Sequence, residues 1–149
     1  MQLIQSADAS RLTGLTGHQL REWCARRAVV TPDVAGAGRG RHALFSWQTV
    51  LALRLLRELH ERFGTEVGAW KGAMEELRQL LKGRSFPALW NTVAAFPDCE
   101  HARLLDDRSI LPDAILTLPL APHLEALAHD FAFPAPQQLP LFAAVGLRR

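Results

Sequence analysis

Cysteine is scarce in this chain: Cys24 and Cys99 are the two thiols among 149 residues. Neither belongs to a Cys-x-x-Cys pair, and two scattered thiols cannot build a disulfide scaffold, which points to a reducing compartment. Long apolar runs are missing too. The stretches around Val50–Leu59 and Ile110–Leu120 are interrupted by Arg, Asp or Pro and cannot span a bilayer. The opening Met-Gln-Leu-Ile-Gln-Ser has no basic segment leading into an apolar one, so no secretory signal is read. Catalytic signatures are equally lacking: there is no phosphate-binding Walker loop, no Gly-x-Ser-x-Gly and no His-Glu-x-x-His. Asp106, Asp107 and Asp113 have no patterned base or metal cluster beside them. Cys99-Glu-His101 offers too few ligands for zinc, which takes about four. The expectation is a cytoplasmic, non-enzymatic protein without catalytic residues, metal site or cofactor.

What is present is a core-forming chain of uneven charge. Apolar residues make up 48% of the sequence, enough for a hydrophobic core over most of its length. From Met1 to Ser85 thirteen Arg and Lys face eight Asp and Glu, a balance of +5. From Phe86 to Arg149 four face seven, a balance of −3. A basic front and an acidic back suggest that a polyanion meets only the front. Fifteen of the seventeen cations are Arg, which suits bidentate contacts to phosphate and guanine; a GC-rich genome would give the same bias.

The first sixty-odd residues carry the clearest pattern. Ser6 is placed to cap a short helix from Ala7 to Leu12, and Thr13-Gly14-Leu15 forms a turn in which Gly14 takes a positive φ. Thr16 caps a second helix, and Thr16-Gly-His-Gln19 has capping-box spacing. On that helix Leu20, Trp23, Cys24 and Arg27 share one face, while His18, Arg21, Glu22 and Ala25 look the other way. Pro32 ends the helical region. Asp33 to Gly40 reads as a mobile glycine-rich loop, followed at once by Arg41 and His42. Ser46 then caps a long helix with Val50, Leu51, Leu53, Leu55, Leu56, Leu59 and Phe63 on its apolar stripe and Gly64 at its end.

Two short helices around a tight turn, a basic loop and a long helix make a winged helix-turn-helix. Such a module leaves one face of its second helix free for the major groove of DNA. Leu12, Leu15, Leu20 and Trp23 would brace that helix from behind. His18, Gln19 and Arg21 would reach base edges or phosphates, with Arg39, Arg41 and His42 on the wing.

These residues also resemble a known family. Ala9-Ser-Arg-Leu-Thr-Gly-Leu-Thr-Gly-His-Gln-Leu-Arg21 is similar to the opening of the mercury-resistance-regulator (MerR) family, in which an Ala-x-x-x-Gly turn runs into a Thr-Leu-Arg-Tyr-Tyr-Glu-type helix. Val29-Val-Thr-Pro32 resembles that family's Gly-Leu-Leu-x-Pro exit, and Arg41-His-Ala-Leu-Phe-Ser46 its Tyr-Arg-x-Tyr-Ser wing strand. Trp47 to Trp70 follows its Leu-rich helix, Gly turn and next helix start. The resemblance spans roughly residues 3–70 and implies contacts to double-stranded DNA from Thr16, His18, Gln19, Arg21, Arg39 and Arg41. The chain departs from the pattern in two places. Glu22-Trp23 stands where the family has an aromatic pair, and Gly83 and Pro87 interrupt the position of its long dimerisation helix. A homodimer is therefore a candidate partner without an assigned surface.

The rest is read more coarsely. A helix is expected over Val67–Leu81, with Trp70, Met74, Leu77 and Leu81 on one face, ended by Gly83. Phe86–Phe96 reads as helical, Ala102–Leu105 and Ala114–Leu120 as short strands, and Pro122–Phe131 as a last helix. From Phe133 onward the chain is Pro-rich and reads as an extended tail. In that tail Gln138-Leu139-Pro140-Leu141-Phe142 resembles the Gln-Leu-x-Leu-Phe peptide by which bacterial replication and repair proteins dock on the DNA polymerase sliding clamp. It implies clamp contacts from Gln138, Leu139, Leu141 and Phe142; a final strand covering the chain's own core is the alternative. The expected class is mainly α (α+β): a winged helix-turn-helix over 1–70, a small mixed accessory, dimerisation or effector region over 71–132, and a tail over 133–149. Transcriptional regulation is the leading function, and a replication or repair accessory role is its rival.

Overall fold

The computed structural model describes residues 2–111 and 113–133. The clamp-like Gln138, Leu139, Leu141 and Phe142 lie outside the described residues. A two-residue strand β1 (Ile4–Gln5) leads into helix α1 (Ser6–Thr13), and helix α2 (Gly17–Arg21) continues as a π-helical turn over Glu22–Arg26. Strand β2 (Leu44–Phe45) returns to pair antiparallel with β1 and precedes the long helix α3 (Trp47–Phe63). A 3-10 turn over Val67–Trp70 opens helix α4 (Lys71–Lys82). Strands β3 (Thr92–Phe96), β4 (Arg103–Asp106) and β5 (Leu116–Pro119) form an antiparallel sheet in the order β4-β3-β5, and helix α5 (Ala121–Ala128) follows. The fold is thus mainly helical with small sheets, as the sequence indicates.

Helix α3 is the axis of the molecule. Val50, Leu51, Ala52, Leu53, Leu55, Leu56 and Leu59 are all completely buried. Apolar residues on nearly every side bury its first half, while Arg57, Glu58 and Glu61 leave part of its second half open. Helices α1, α4 and α5 all pack on it. One continuous buried cluster runs from Ile4 to Phe131, so the front and back of the chain share a core. At the N-terminal end of α3, Trp47 meets Phe86 edge-on at 5.3 Å, and Phe86 stacks on Phe133 at 4.2 Å.

Several local expectations are corrected. Phe86–Phe96 is not a helix: a 3-10 turn at Pro87–Leu89 gives way to β3. Ala94 and Ala95 favour helix locally, but the segment is the central strand of its sheet, and ladder bonds on both sides override a weak propensity. Ser6 is the first residue of α1 rather than its cap; the cap position is Gln5, whose side chain makes no capping bond. Phe63 is 45% exposed, because α3 outruns the core in its last turn. Strand β1 has no sequence signal, since two residues cannot show an alternation.

The turn between α1 and α2 is held from two sides. Gly14 adopts φ +72° and closes α1, its N–H donating to Ser10 O at 2.9 Å. Arg57 Nη1 donates to Thr13 O at 2.9 Å, and Arg54 Nη1 donates to Leu12 O. These are the carbonyls that a helix C-terminus leaves unpaired, and cations are favoured there by the helix dipole. A Cβ on Gly14 would displace the Arg57 guanidinium from the Thr13 carbonyl, and the positive φ itself favours glycine.

Arg54 also joins the front half of the chain to α5. Arg54 Nε donates to His123 Nδ1 at 3.2 Å, and His123 Nε2 lies 2.7 Å from Glu58 Oε2. Both contacts are met by a neutral imidazole carrying its proton on Nε2. Burial, helped by the Arg54 and Arg62 charges and opposed by Glu58, lowers the His123 pKa from its ordinary 6.5. The unfolded chain therefore takes up the proton first as pH falls. This contribution to stability is complete above 6.5 and is lost as pH drops toward the lower folded value. Thermal melts between about pH 7 and pH 5 should show a steeper loss of Tm for the wild type than for His123→Gln; equal slopes would remove His123 from the account.

Candidate nucleic-acid interface

The second helix of the helix-turn-helix is built as its sequence requires. Thr16 Oγ1 accepts from Gln19 N at 3.1 Å, and Gln19 Oε1 accepts from Thr16 N at 3.0 Å, a complete capping box. Behind it Leu12, Leu15, Leu20 and Trp23 are buried and brace it. Thr16, His18 and Arg21 are exposed on the outer side, while Gln19 is half-buried. The capping box occupies Gln19 Oε1, which leaves its Nε2 amide as the group able to donate elsewhere.

The helix continues beyond Arg21 in an unexpected register. Arg27 N donates to Glu22 O at 2.8 Å, the i to i+5 spacing of a π turn. The wider turn puts Trp23 and Cys24 into the core and turns Arg26 outward, with 80% of its side chain exposed. Arg27, placed with the inward face by helical spacing, instead pairs with Glu66 at the surface. Glu22 lies 3.5 Å from Arg26, so the carboxylate that departs from the family pattern faces a cation on its own helix. Arg26 is a further exposed cation at the end of this helix. The helix closes at Ala28 with φ +49°, and Val29 N donates to Trp23 O at 2.8 Å. A left-handed alanine costs about 1–2 kcal/mol, which the buried Val29 and Val30 offset.

The wing is anchored at its root. Asp33 N donates to Leu44 O at 3.0 Å, and Val34 and Leu44 exchange bonds of 3.2 and 2.9 Å. Leu44 thus pairs with Gln5 on one side and Val34 on the other. Asp33 and Val34 therefore belong to the paired base of the wing, not to a loose loop. Asp33 also accepts from Ser46 N at 2.6 Å and Ser46 Oγ at 2.9 Å, bracing the start of α3. At Gly36 a Cβ would press on Arg41 O and Ala43 N, at 3.1 and 3.2 Å, so the two sides of the wing approach backbone to backbone. Arg39, Arg41 and His42 are exposed beyond this base.

Helix and wing together enclose an open cleft of about 750 Å³. Its floor is apolar, with Leu20, Cys24, Pro32 and Phe45, and Arg21, Arg41 and His42 line it as well. Thr16, His18, Gln19 and Arg39 do not line this cleft; the first three stand at the start of the helix and Arg39 within the wing. Three basic side chains from two elements thus converge on one concave surface, an arrangement suited to a polyanion. Cys24 is no reactive group here: burial pushes its thiol up to about 12, so it stays protonated.

Asp98 Oδ1 accepts from the N–H groups of Glu100 and His101 and from the His101 ring, which closes a surface turn. Among the described residues no group of three or more His, Cys, Asp or Glu is placed to hold a metal ion. No helix among them is long and apolar enough to cross a membrane.

No curated protein matches the chain. Residues 4–77 match the family model described as MerR HTH family regulatory protein. That segment contains β1, α1, α2, the wing, α3 and most of α4, in the order and spacing just described. Over residues 4–77 the chain therefore matches the MerR helix-turn-helix regulatory family, and the fold of that segment is a winged helix-turn-helix.

Proposed function

We propose that this protein binds double-stranded DNA as a transcriptional regulator, with α2 in the major groove and the wing on the flanking backbone. The observation that carries this reading is the convergence of Arg21, Arg41 and His42 on one cleft between helix and wing. The +5 balance of the first 85 residues supports it, since phosphate contacts dominate affinity for DNA. Thr16, His18, Gln19 and Arg39 extend the same basic and polar surface along the helix start and the wing. Residues 71–132 serve in this reading as an accessory or effector region. Where a long dimer helix would follow α4, the chain turns at Gly83 and enters the β4-β3-β5 sheet. A two-fold regulator must then pair through another surface.

A regulator discriminates its site from bulk DNA by about 10³–10⁷. Binding titrations against a selected site and a scrambled duplex, with oligomeric state measured by sedimentation, test the proposal. A ratio near unity for a monomer would favour the second reading, an accessory role in replication or repair. That reading rests on the sequence Gln138–Phe142 alone. Capture by purified sliding clamp, lost on replacing Gln138, Leu141 and Phe142 by alanine, would establish it.

A further inference from the structure

The wing reaches DNA only if its base holds a fixed distance from α2, and the structure places one side chain at that joint. Arg78 lies on α4, one residue past the segment that matches the family. Only 13% of its side chain is exposed. Its Nη1 donates to Thr31 Oγ1 at 3.1 Å and its Nη2 to Thr49 Oγ1 at 3.1 Å, with Asp33 Oδ1 at 3.9 Å from Nη2. Thr31 sits where the chain leaves α2, Asp33 where the wing rises, and Thr49 in the first turn of α3 just after the wing returns. Asp33 and Thr49 are further joined through Ser46, whose Oγ donates to Asp33 at 2.9 Å and lies 3.2 Å from Thr49 Oγ1.

We propose that Arg78 is the positioning residue of the wing: its guanidinium fork ties the exit of α2 to both feet of the wing and so fixes the span between Arg21 and the Arg39–Arg41 pair. A planar group with several donors in fixed directions can hold such a joint; a flexible ammonium cannot span it. The backbone bridge between Val34 and Leu44 keeps the wing a hairpin without Arg78. What Arg78 adds is the angle of that hairpin to the helix. The inference rests on the DNA-binding reading above.

Its test separates positioning from folding. Arg78→Met keeps the aliphatic packing and removes the fork. Duplex affinity is expected to fall about tenfold at moderate salt. The slope of log K against log salt should shrink by about two, the share of two lost phosphate contacts. A partly unfolded protein would lose active fraction with its slope unchanged. In the Arg78→Met background, Arg39→Ala with Arg41→Ala should cost almost nothing further, since a misplaced wing has no contacts left to lose. If circular dichroism shows that Arg78→Met does not fold, Thr31→Val carries the same test with a smaller expected change. An unaltered slope, or a wing substitution that costs as much as in the wild type, overturns the positioning role alone. A wild type that binds no duplex at any salt overturns the DNA-binding reading and this inference with it.

Discussion

Replacing Arg21 and Arg39 together by alanine is expected to weaken duplex binding by two orders of magnitude or more. Arg21 stands on the outer side of α2 and lines the cleft; Arg39 is exposed in the wing. A bidentate Arg–guanine contact contributes about 1–3 kcal/mol, and each phosphate contact carries about 0.9 of the salt slope. The two substitutions should therefore differ in kind. Arg21→Ala is expected to reduce discrimination between sequences, whereas Arg39→Ala should weaken all duplexes alike and flatten the salt dependence. Neither side chain is part of the buried cluster, so unfolding midpoints should stay near the wild type. Electrophoretic or fluorescence titrations across a salt series would check this. Unchanged binding by the double variant would mean that the cleft is not the DNA surface.

Leu124→Ala is expected to have the largest effect on stability. The side chain is completely buried on α5, which packs on α3, the helix that also supports α1. Truncating a buried Leu costs about 2–5 kcal/mol through lost transfer energy and the cavity left behind. That is a large part of the roughly 5–15 kcal/mol that holds a domain together. Because the cluster runs unbroken from Ile4 to Phe131, the loss should appear in a single transition. DNA binding should disappear at the same denaturant concentration as α5 unfolds, although Leu124 lies far along the chain from α2. Two separate transitions would show instead that the front half folds on its own.

Much of the helix-turn-helix was legible in the chain because its signals are local. Thr16 and Gln19 are three residues apart and form the capping box that this spacing requires. Gly14 takes its positive φ at the turn, and Ser46 and Gly64 bound α3 as read. Other features depend on partners far away. Asp33 has no local mark that it will brace Ser46, thirteen residues on. Arg78 looks like one more cation of an amphipathic helix until the wing's feet are brought to it. Arg27 falls on the inward face at 3.6-residue spacing, yet after the π turn it lies at the surface against Glu66. Phe86–Phe96 reads as a helix for the same reason: its alanines favour one, and only β4 and β5 on either side make 92–96 a strand.

The chain by itself determined a helix-turn-helix with a basic wing, because caps, turns and amphipathic stripes are written in neighbouring residues. Its uneven charge also marked the front half as the side for a polyanion. Only the tertiary structure decided how the two cationic elements stand to one another. That distance is set by the floor of the cleft, by the paired root of the wing and by a guanidinium from α4. It also decided that the back half is bound into the same core, through His123, Glu58 and Arg54 and through the aromatic stack on Trp47. Such contacts join residues about forty to seventy positions apart, and no local pattern encodes them.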